Sequence, residues 1–201
     1  MALTLVIGNK NYSSWSFRPW IAMKAAGIPF DEVVISLDAA DFKERVLKVS
    51  GTGKVPVLID GNVRVWESLA ILEYLAEKFP DAKLWPEDPA ARAHARAIAN
   101  EMHAGFASLR THLWMTLLKK RPGRGRTPES LADVARIVAL WRETRTTYGA
   151  GGPYLFGARF TIADAMYAPV VIRFWAWEPE LPDDADRKST RLNSSHEWIS
   201  R

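Results

Sequence analysis

The first 80 residues alternate short apolar runs with amphipathic segments, which predicts a mixed α/β unit. Apolar, β-prone runs predict strands at 4–7, 33–35, 55–59 and 63–65. Apolar residues at helical spacing predict three helices: one from Ser13 or Ser14 to the stop at Gly27, one over 41–49 and one over 67–78. Asp60-Gly61 separates the last two strands and is typical of a tight antiparallel hairpin. The predicted order is βαβαββα.

The pattern changes after residue 80, where strands give way to helices. A stretch rich in Pro and Asp predicts a linker at 81–88, between a first domain at 1–80 and a helical domain at 89–185. Helical spacing predicts helices over 89–120 and 130–147 and a third helix that starts near Thr161. Thr161 is predicted as its N-cap, with Asp164 in the position of an acidic capping box. The fold class predicted is thus α/β followed by all-α.

The last sixteen residues, 186–201, read DRKSTRLNSSHEWISR and have no apolar periodicity. A back-translation of this stretch resembles a widely used sequencing-library adaptor, so we interpret it as a non-native artefact. The helical domain is then expected to be truncated. A truncated domain should expose apolar surface around Val171, Phe174, Trp175 and Trp177.

The composition of the 201 residues, 48% hydrophobic and 25% charged, indicates a globular chain. It contains no cysteine, so any thiol chemistry must use a thiol that a ligand brings. The net charge of +4 falls to +2 without the last sixteen residues, which hold four basic and two acidic side chains. The first apolar run is too short for a signal peptide or a membrane span, so we expect a cytoplasmic protein without a membrane partner.

Two features argue against metal and nucleic-acid chemistry. His94 and His103 lie nine residues apart, nearly opposite each other on a helix, and no histidines have the spacing of a zinc triad. The basic segment 119–126 lacks interleaved aromatic residues, so it is interpreted as a solvated loop. We therefore expect no metal and no nucleic-acid partner.

Three local motifs carry candidate chemistry. Two serines at 13–14 lie at a strand-to-helix turn, where hydroxyls and helix N–H groups converge. The Lys-Val-Pro sequence at 54–56 enters a strand, and its proline leaves backbone groups available to an extended peptide. The Trp-Glu-Ser sequence at 66–68 opens a helix and offers a carboxylate for an ammonium group and a hydroxyl for a carboxylate.

In this order and spacing, the motifs resemble the glutathione S-transferase family, and most closely its serine-type, zeta-like branch, which includes maleylacetoacetate isomerases. The stretch SSWSFRPWIA at 13–22 is similar to the S-S-x-S-aromatic-R-x-x-I-A signature of that branch. The stretch ESLAILEYL at 67–75 is similar to the family's [EQ]-S-x-A-I-x-x-Y-L motif. The resemblance covers residues 3–178 and implies a thioredoxin-like domain followed by an all-helical domain. One departure is Trp15, where the isomerases usually carry Cys.

The resemblance implies a catalytic serine that stabilises the thiolate of glutathione, which supplies the thiol that this chain lacks. Ser14 lies four residues before Arg18, the spacing of other serine-type classes, whereas Ser13 aligns with the catalytic serine of the zeta type. Both serines therefore stay candidates. Val55 would form antiparallel backbone bonds with the cysteinyl unit, and the bond before Pro56 is expected to be cis.

Four further residues are implied to bind glutathione. Glu67 would bind the γ-glutamyl ammonium group and Ser68 the adjacent carboxylate. Lys54 would pair with the glycyl carboxylate, and Trp15 would contact the ligand beside the serines.

The second-substrate pocket is predicted from proximity and from helical spacing. Tyr12, beside the serines, is predicted at the floor of this pocket together with Trp15. Residues at i, i+3, i+7 and i+11 of the predicted 89–120 helix share a face that either lines this pocket or packs in the core or against a second subunit. These residues are His103, Phe106, Arg110 and Trp114.

The resemblance implies a cytosolic, homodimeric glutathione transferase that uses glutathione as co-substrate and attacks a small hydrophobic electrophile. A first alternative is a glutathione-dependent cis-trans isomerase of an acidic diene, in which Arg18 and Arg110 hold the substrate carboxylates. A second alternative is a non-catalytic glutathione-binding module, since a fold does not guarantee a function.

Overall fold

The computed structural model describes residues 2–181, which form two compact units that meet in sequence at Leu84 and Trp85. The stretch 186–201, interpreted above as an artefact, lies outside the described residues. Among residues 2–181, no helix combines the length and the apolar character needed to cross a bilayer. No group of His, Asp and Glu side chains within this part of the chain is arranged to hold a metal ion.

The first unit has the predicted order of strands and helices. Its strands are β1 (Leu3–Ile7), β2 (Phe30–Val34), β3 (Val57–Asp60) and β4 (Val63–Trp66). Its helices are α1 (Ser14–Ala25), α2 (Phe42–Leu47) and α3 (Ser68–Lys78), and a 3₁₀ turn follows at Pro80–Ala82.

A four-stranded mixed sheet forms the centre of this unit, in the order β2-β1-β3-β4. Strand β1 runs parallel to β2 and antiparallel to β3, and β3 pairs with β4 through the predicted hairpin. The turn residue Gly61 has φ +56°, a conformation that glycine adopts without steric cost. Apolar residues from the sheet and α2 form a buried cluster: Val6, Ile35, Val46 and Val57.

Strand β3 begins two residues later than predicted, at Val57 instead of Val55. Proline has no N–H to donate to a strand ladder, so pairing starts only after Pro56. Val55 and Pro56 therefore lie outside the ladder, at the entrance to the strand.

As far as residue 181, the second unit contains four α-helices: α4 (Pro89–Ala104), α5 (Ala107–His112), α6 (Pro128–Tyr148) and α7 (Ile162–Trp177). The prediction of one continuous helix over 89–120 is wrong. The chain breaks at Gly105 and Phe106, where Phe106 adopts the left-handed conformation with φ +58°.

The break removes the helix face that was predicted for the second-substrate pocket. His103 lies in the last turn of α4, whereas Arg110 lies on α5 and donates to the carbonyls of Gly105 and Met102. Arg110 therefore satisfies backbone groups at the end of α4. Phe106 is buried at the junction between the two helices.

The apolar end of α7 is buried, which contradicts the expected exposure around Val171, Phe174 and Trp177. Each of these three side chains is at most 8% exposed, and Trp175 is partly buried. Trp177 packs edge-on against Trp114, with ring centres 5.2 Å apart, and its Nε1–H donates to the Trp114 carbonyl at 2.8 Å.

The basic segment 119–126 is mostly exposed, as predicted for a surface loop, and it also contacts the end of α7. The Arg121 guanidinium lies 4.8 Å from the Trp114 ring centre. Lys120 forms an ion pair with Glu178 at 2.6 Å. Arg126 pairs with Glu180 at the same distance.

The predicted capping box at the start of α7 is confirmed. The Thr161 N–H and hydroxyl donate to Asp164 Oδ2 at 2.8 and 2.7 Å, and the Leu155 N–H donates to Asp164 Oδ1 at 2.9 Å. Burial raises the pKa of Asp164 to about 6, although these three hydrogen bonds act in the opposite direction.

Candidate functional site

A pocket of about 180 Å³ in the first unit brings together most of the predicted glutathione-binding residues. It is built from the start of α1, the loop before β3 and the junction between β4 and α3. Its lining residues are Trp15, Thr52, Lys54, Val55, Pro56, Trp66 and Glu67.

The Val55-Pro56 wall of the pocket has the backbone conformation that the resemblance implied. The peptide bond between these residues is cis. Because the β3 ladder starts at Val57, the backbone groups of Val55 are not used by the sheet. An extended peptide can pair with such a segment by adding backbone hydrogen bonds at the end of the strand.

The junction between β4 and α3 combines backbone strain at Glu67, which lines the pocket, with a buried polar atom on Ser68, which is not among the lining residues. Glu67 has φ +67° and ψ 128°, a conformation that costs a non-glycine residue about 1–3 kcal/mol. Ser68 is 0% exposed, and its Oγ has no hydrogen-bond partner within residues 2–181. A buried hydroxyl without a partner costs a further ~1–3 kcal/mol. Strain and buried polar atoms of this kind concentrate at functional sites, so this junction is a candidate binding surface.

The two candidate serines lie at the start of α1, and each is 7% exposed. Ser13 is the N-cap residue, but its side chain makes no capping hydrogen bond to the helix. Its hydroxyl instead donates to Ser16 Oγ at 2.8 Å, and the Gly8 N–H donates to the same oxygen at 3.1 Å. Neither Ser13 nor Ser14 is among the lining residues, but the adjacent Trp15 is.

Gly8 lies close to the serines. A Cβ at this position would lie 3.1 Å from Ser13 Cβ and 2.8 Å from Leu37 Cδ2. A side chain at residue 8 would therefore require Ser13 and the Leu37 side chain to shift.

Arg18 supports a wall of the pocket but does not line it. It is 0% exposed, and its guanidinium carbon lies 4.2 Å from the centre of the Trp15 ring, a cation–π contact. The resulting stack holds the Trp15 indole in place. Tyr12, predicted beside it, is 48% exposed and is not among the lining residues.

Three residues of this region were not predicted from the sequence. Thr52 and Trp66 line the pocket, and Ser16 accepts the hydrogen bond from Ser13. Thr52 Oγ1 lies 3.0 Å from Ser50 Oγ and accepts the Lys54 N–H at 3.3 Å, so it fixes the loop that presents Lys54. Two of the three stand in motifs that the sequence offered, since Trp66 precedes the Glu-Ser pair and Ser16 is the third serine of the SSWS sequence.

The role of the second-unit residues in a pocket for the electrophilic substrate stays a prediction. Burial lowers the pKa of Arg110, and the charge of Asp133 opposes this effect. Trp114 packs against Trp177, His103 lies in the last turn of α4, and Phe106 lies at the helix break.

The mixed sheet, the cis-proline entrance and the serine-bearing start of α1 define the first unit as a thioredoxin-like domain. Residues 12–78 match the family model described as "Glutathione S-transferase, N-terminal domain", and residues 63–194 match "Glutathione S-transferase, C-terminal domain". The chain therefore belongs to the glutathione S-transferase family.

Sequence relatives agree with this assignment. The chain is 34% identical over 161 residues to a probable maleylacetoacetate isomerase of Caenorhabditis elegans, which covers 79% of this chain and 73% of the relative. It is 31% identical over 163 residues to maleylacetoacetate isomerase of Rattus norvegicus, with the same two shares. The chain is thus a member of an enzyme family, and its similarity to isomerases supports the zeta-like branch.

A solved structure has the same fold. A glutathione transferase homolog from Burkholderia gl BGR1 with bound glutathione superposes with a TM-score of 0.70 at 21% identity. The superposition covers 100% of this chain and 97% of that chain.

Proposed function

We propose that this chain binds glutathione in the pocket of the first unit and activates its thiol for attack on a small hydrophobic electrophile. The observation that carries the proposal is the buried hydroxyl of Ser68, which has no partner among the described residues and adjoins the strained Glu67. Val55, with its unused backbone groups, lines the same pocket as Glu67. A short peptide with an ammonium and a carboxylate at one end matches these groups.

Each end of glutathione has a complementary group in this arrangement. The Glu67 carboxylate attracts the γ-glutamyl ammonium group, and Ser68 Oγ donates to the neighbouring carboxylate. The N-terminal end of α3 adds a positive partial charge at that carboxylate. Lys54 is exposed at the pocket and pairs with the glycyl carboxylate.

The thiol is activated at the start of α1. A hydroxyl donor at Ser13 or Ser14 and the positive end of the helix dipole both favour the thiolate over the thiol. A decrease of two units from a thiol pKa of about 8.5 corresponds to ~3 kcal/mol and makes the thiolate the major form at pH 7. The activated sulfur then attacks the electrophile without a metal or redox cofactor.

The alternative function is glutathione-dependent isomerisation of an acidic diene, which the similarity to maleylacetoacetate isomerases favours. We rank it second because Trp15 replaces the usual Cys. The arginines suggested for the substrate carboxylates also have other roles. Arg18 is buried against Trp15, and Arg110 donates to backbone carbonyls at the end of α4.

A substrate comparison tests the proposal. Calorimetric titration should give glutathione binding that is lost in Glu67→Ala, and an electrophilic aryl halide should be turned over faster than maleylacetoacetate. Faster turnover of the diene would make the chain an isomerase. Binding without turnover of either substrate would favour the non-catalytic module, and absence of glutathione binding would contradict the proposal itself.

Two expectations from the resemblance stay predictions of this proposal, namely a homodimer and a cytoplasmic location. Analytical ultracentrifugation tests the first. A mass of about twice 22.6 kDa is expected, and a monomer at working concentration would contradict it.

A further inference from the structure

The hydroxyl of Ser13 belongs to a short hydrogen-bond chain that starts on the protein backbone. The Gly8 N–H donates to Ser16 Oγ at 3.1 Å, and the Ser13 hydroxyl donates to the same oxygen at 2.8 Å. Ser16 is 2% exposed and Ser13 is 7% exposed, so little water competes for these bonds. In this arrangement Ser16 Oγ accepts two hydrogen bonds.

We propose that Ser16 is a positioning residue for thiol activation that acts through Ser13. This inference rests on the proposed function, with Ser13 as the donor to the glutathione thiolate. When the thiolate binds, the Ser13 O–H rotates towards sulfur, and the Ser16 O–H rotates towards Ser13 Oγ. No covalent bond forms or breaks, and each oxygen keeps its own proton.

The Gly8 N–H, at one end of this hydrogen-bond series, determines the direction in which the two hydroxyls can donate. The Gly8 N–H can only donate, so Ser16 Oγ remains an acceptor at that end in both states. A serine hydroxyl has one proton and two acceptor sites, so Ser16 can accept from Gly8 while it donates to Ser13. With the ligand bound, the Gly8 N–H donates to Ser16 Oγ, the Ser16 hydroxyl donates to Ser13 Oγ, and the Ser13 hydroxyl donates to the sulfur. Each of the three donors then has an acceptor.

Hydrogen bonds in series polarise one another, which makes Ser13 a stronger donor to the thiolate. The strengthening is about 10–30% per bond. A single hydroxyl donor to a charged sulfur lowers the thiol pKa by about 1–2 units. The contribution of Ser16 is therefore about 0.3 pKa units, which is smaller than that of Ser13 but measurable.

The test is the pKa of the thiol in bound glutathione, measured on the full chain from the ultraviolet absorbance of the thiolate as a function of pH. Ser13→Ala should raise this pKa by about 1–2 units and Ser16→Ala by about 0.3 units. Ser16→Thr restores a hydroxyl and should return the wild-type value. Ser130→Ala is the matched control, because it removes another buried, hydrogen-bonded hydroxyl from a helix start in the second unit.

A double variant shows whether Ser16 acts through Ser13. If it does, Ser16→Ala should leave the thiol pKa unchanged in the Ser13→Ala background. An equal increase in both backgrounds would overturn the inference, and so would an unchanged pKa in Ser16→Ala alone. If Ser16→Ala does not fold, Ser16→Thr and Ser16→Val form a pair of equal shape that differs in the hydroxyl, and equal pKa values in this pair would also overturn it.

These outcomes separate the inference from the proposed function. If Ser14→Ala raises the thiol pKa and Ser13→Ala does not, the inference fails, but thiol activation at α1 stands. If neither variant changes the thiol pKa, the proposed activation mechanism fails as well.

Discussion

Helices α3 and α7 both begin with buried polar side chains, but only those of α7 satisfy one another. At α7, the buried Asp164 carboxylate accepts three hydrogen bonds from Leu155 and Thr161. At α3, the equally buried Ser68 hydroxyl has no partner within the described chain, and the preceding Glu67 has a strained backbone with φ +67°.

This difference predicts that the polar groups at the start of α7 contribute to stability and those at the start of α3 to ligand binding. A satisfied buried group contributes to the folded state, so its removal should lower the free energy of unfolding. A buried group without a partner costs free energy in the folded state, so its removal should not lower the free energy of unfolding but should weaken the binding of a ligand that pairs with it. The start of α7 is therefore expected to hold the second unit together, and the start of α3 to hold glutathione.

The largest expected effect is on stability, from Asp164→Ala. The substitution removes the acceptor of three buried donors, each of which costs ~1–3 kcal/mol when left without a partner. Chemical denaturation should give a free energy of unfolding about 4 kcal/mol lower. A loss below about 0.5 kcal/mol, the range of ordinary surface substitutions, would remove the contrast between the two helices.

The pH dependence of stability provides a second measurement on the same residue. Burial raises the pKa of Asp164 from 3.8 to about 6, so between these pH values the folded chain keeps a proton that the unfolded chain releases. The free energy of unfolding should therefore fall by ~3 kcal/mol as the pH rises through this window and then stay level, relative to Asp164→Asn. Parallel pH profiles for the two proteins would contradict this expectation.

The third prediction concerns Ser68→Ala, which should weaken glutathione binding and raise the free energy of unfolding of the ligand-free chain, because it removes a buried hydroxyl that has no partner among the described residues. A hydrogen bond to a charged group contributes ~1.5–3 kcal/mol, so calorimetry should give a Kd at least about tenfold higher. Ser130→Ala, the control, should lower the free energy of unfolding without an effect on the Kd, because Ser130 Oγ donates to the Gly125 carbonyl and accepts the Thr127 N–H. The opposite pattern for the two serines would reverse our assignment of their roles.

The smallest expected effect is that of Lys54→Ala. Because Lys54 is exposed, its ion pair with the glycyl carboxylate is worth below ~1 kcal/mol, so the Kd should rise about threefold and less at high salt. The Kd for γ-glutamylcysteine, which lacks the glycyl unit, should be the same for Lys54→Ala and the wild-type chain. Lys48→Ala, which breaks a surface pair with Glu44 on α2, is the control. An equal rise in Kd for both ligands would show that Lys54 contacts a part of the peptide other than the glycyl carboxylate.

Local patterns were sufficient to predict the first unit and the start of α7. The strands follow from β-prone runs, the hairpin from Asp60-Gly61, and the capping box from Thr161 and Asp164, since these signals depend on residues close in sequence. Proline chemistry explains the later start of β3, because Pro56 cannot join the ladder.

Long-range contacts could not be predicted in the same way. Apolar periodicity continues across Gly105 and Phe106, so it did not reveal the break that Arg110 caps. The ion pair between Lys120 and Glu178 joins residues 58 positions apart, and no local pattern reports it. Ser16 and the lining residue Thr52 were missed for a related reason, because their roles depend on which backbone groups the fold brings beside them.

The most direct measurement of the central claim is the ultraviolet absorbance of the thiolate of bound glutathione at pH 7, in the wild-type chain and in a variant with both Ser13→Ala and Ser14→Ala. Our account predicts a strong thiolate absorbance in the wild-type complex and its loss in the double variant at saturating glutathione. Undiminished absorbance in the double variant would contradict activation by hydroxyl groups at the start of α1.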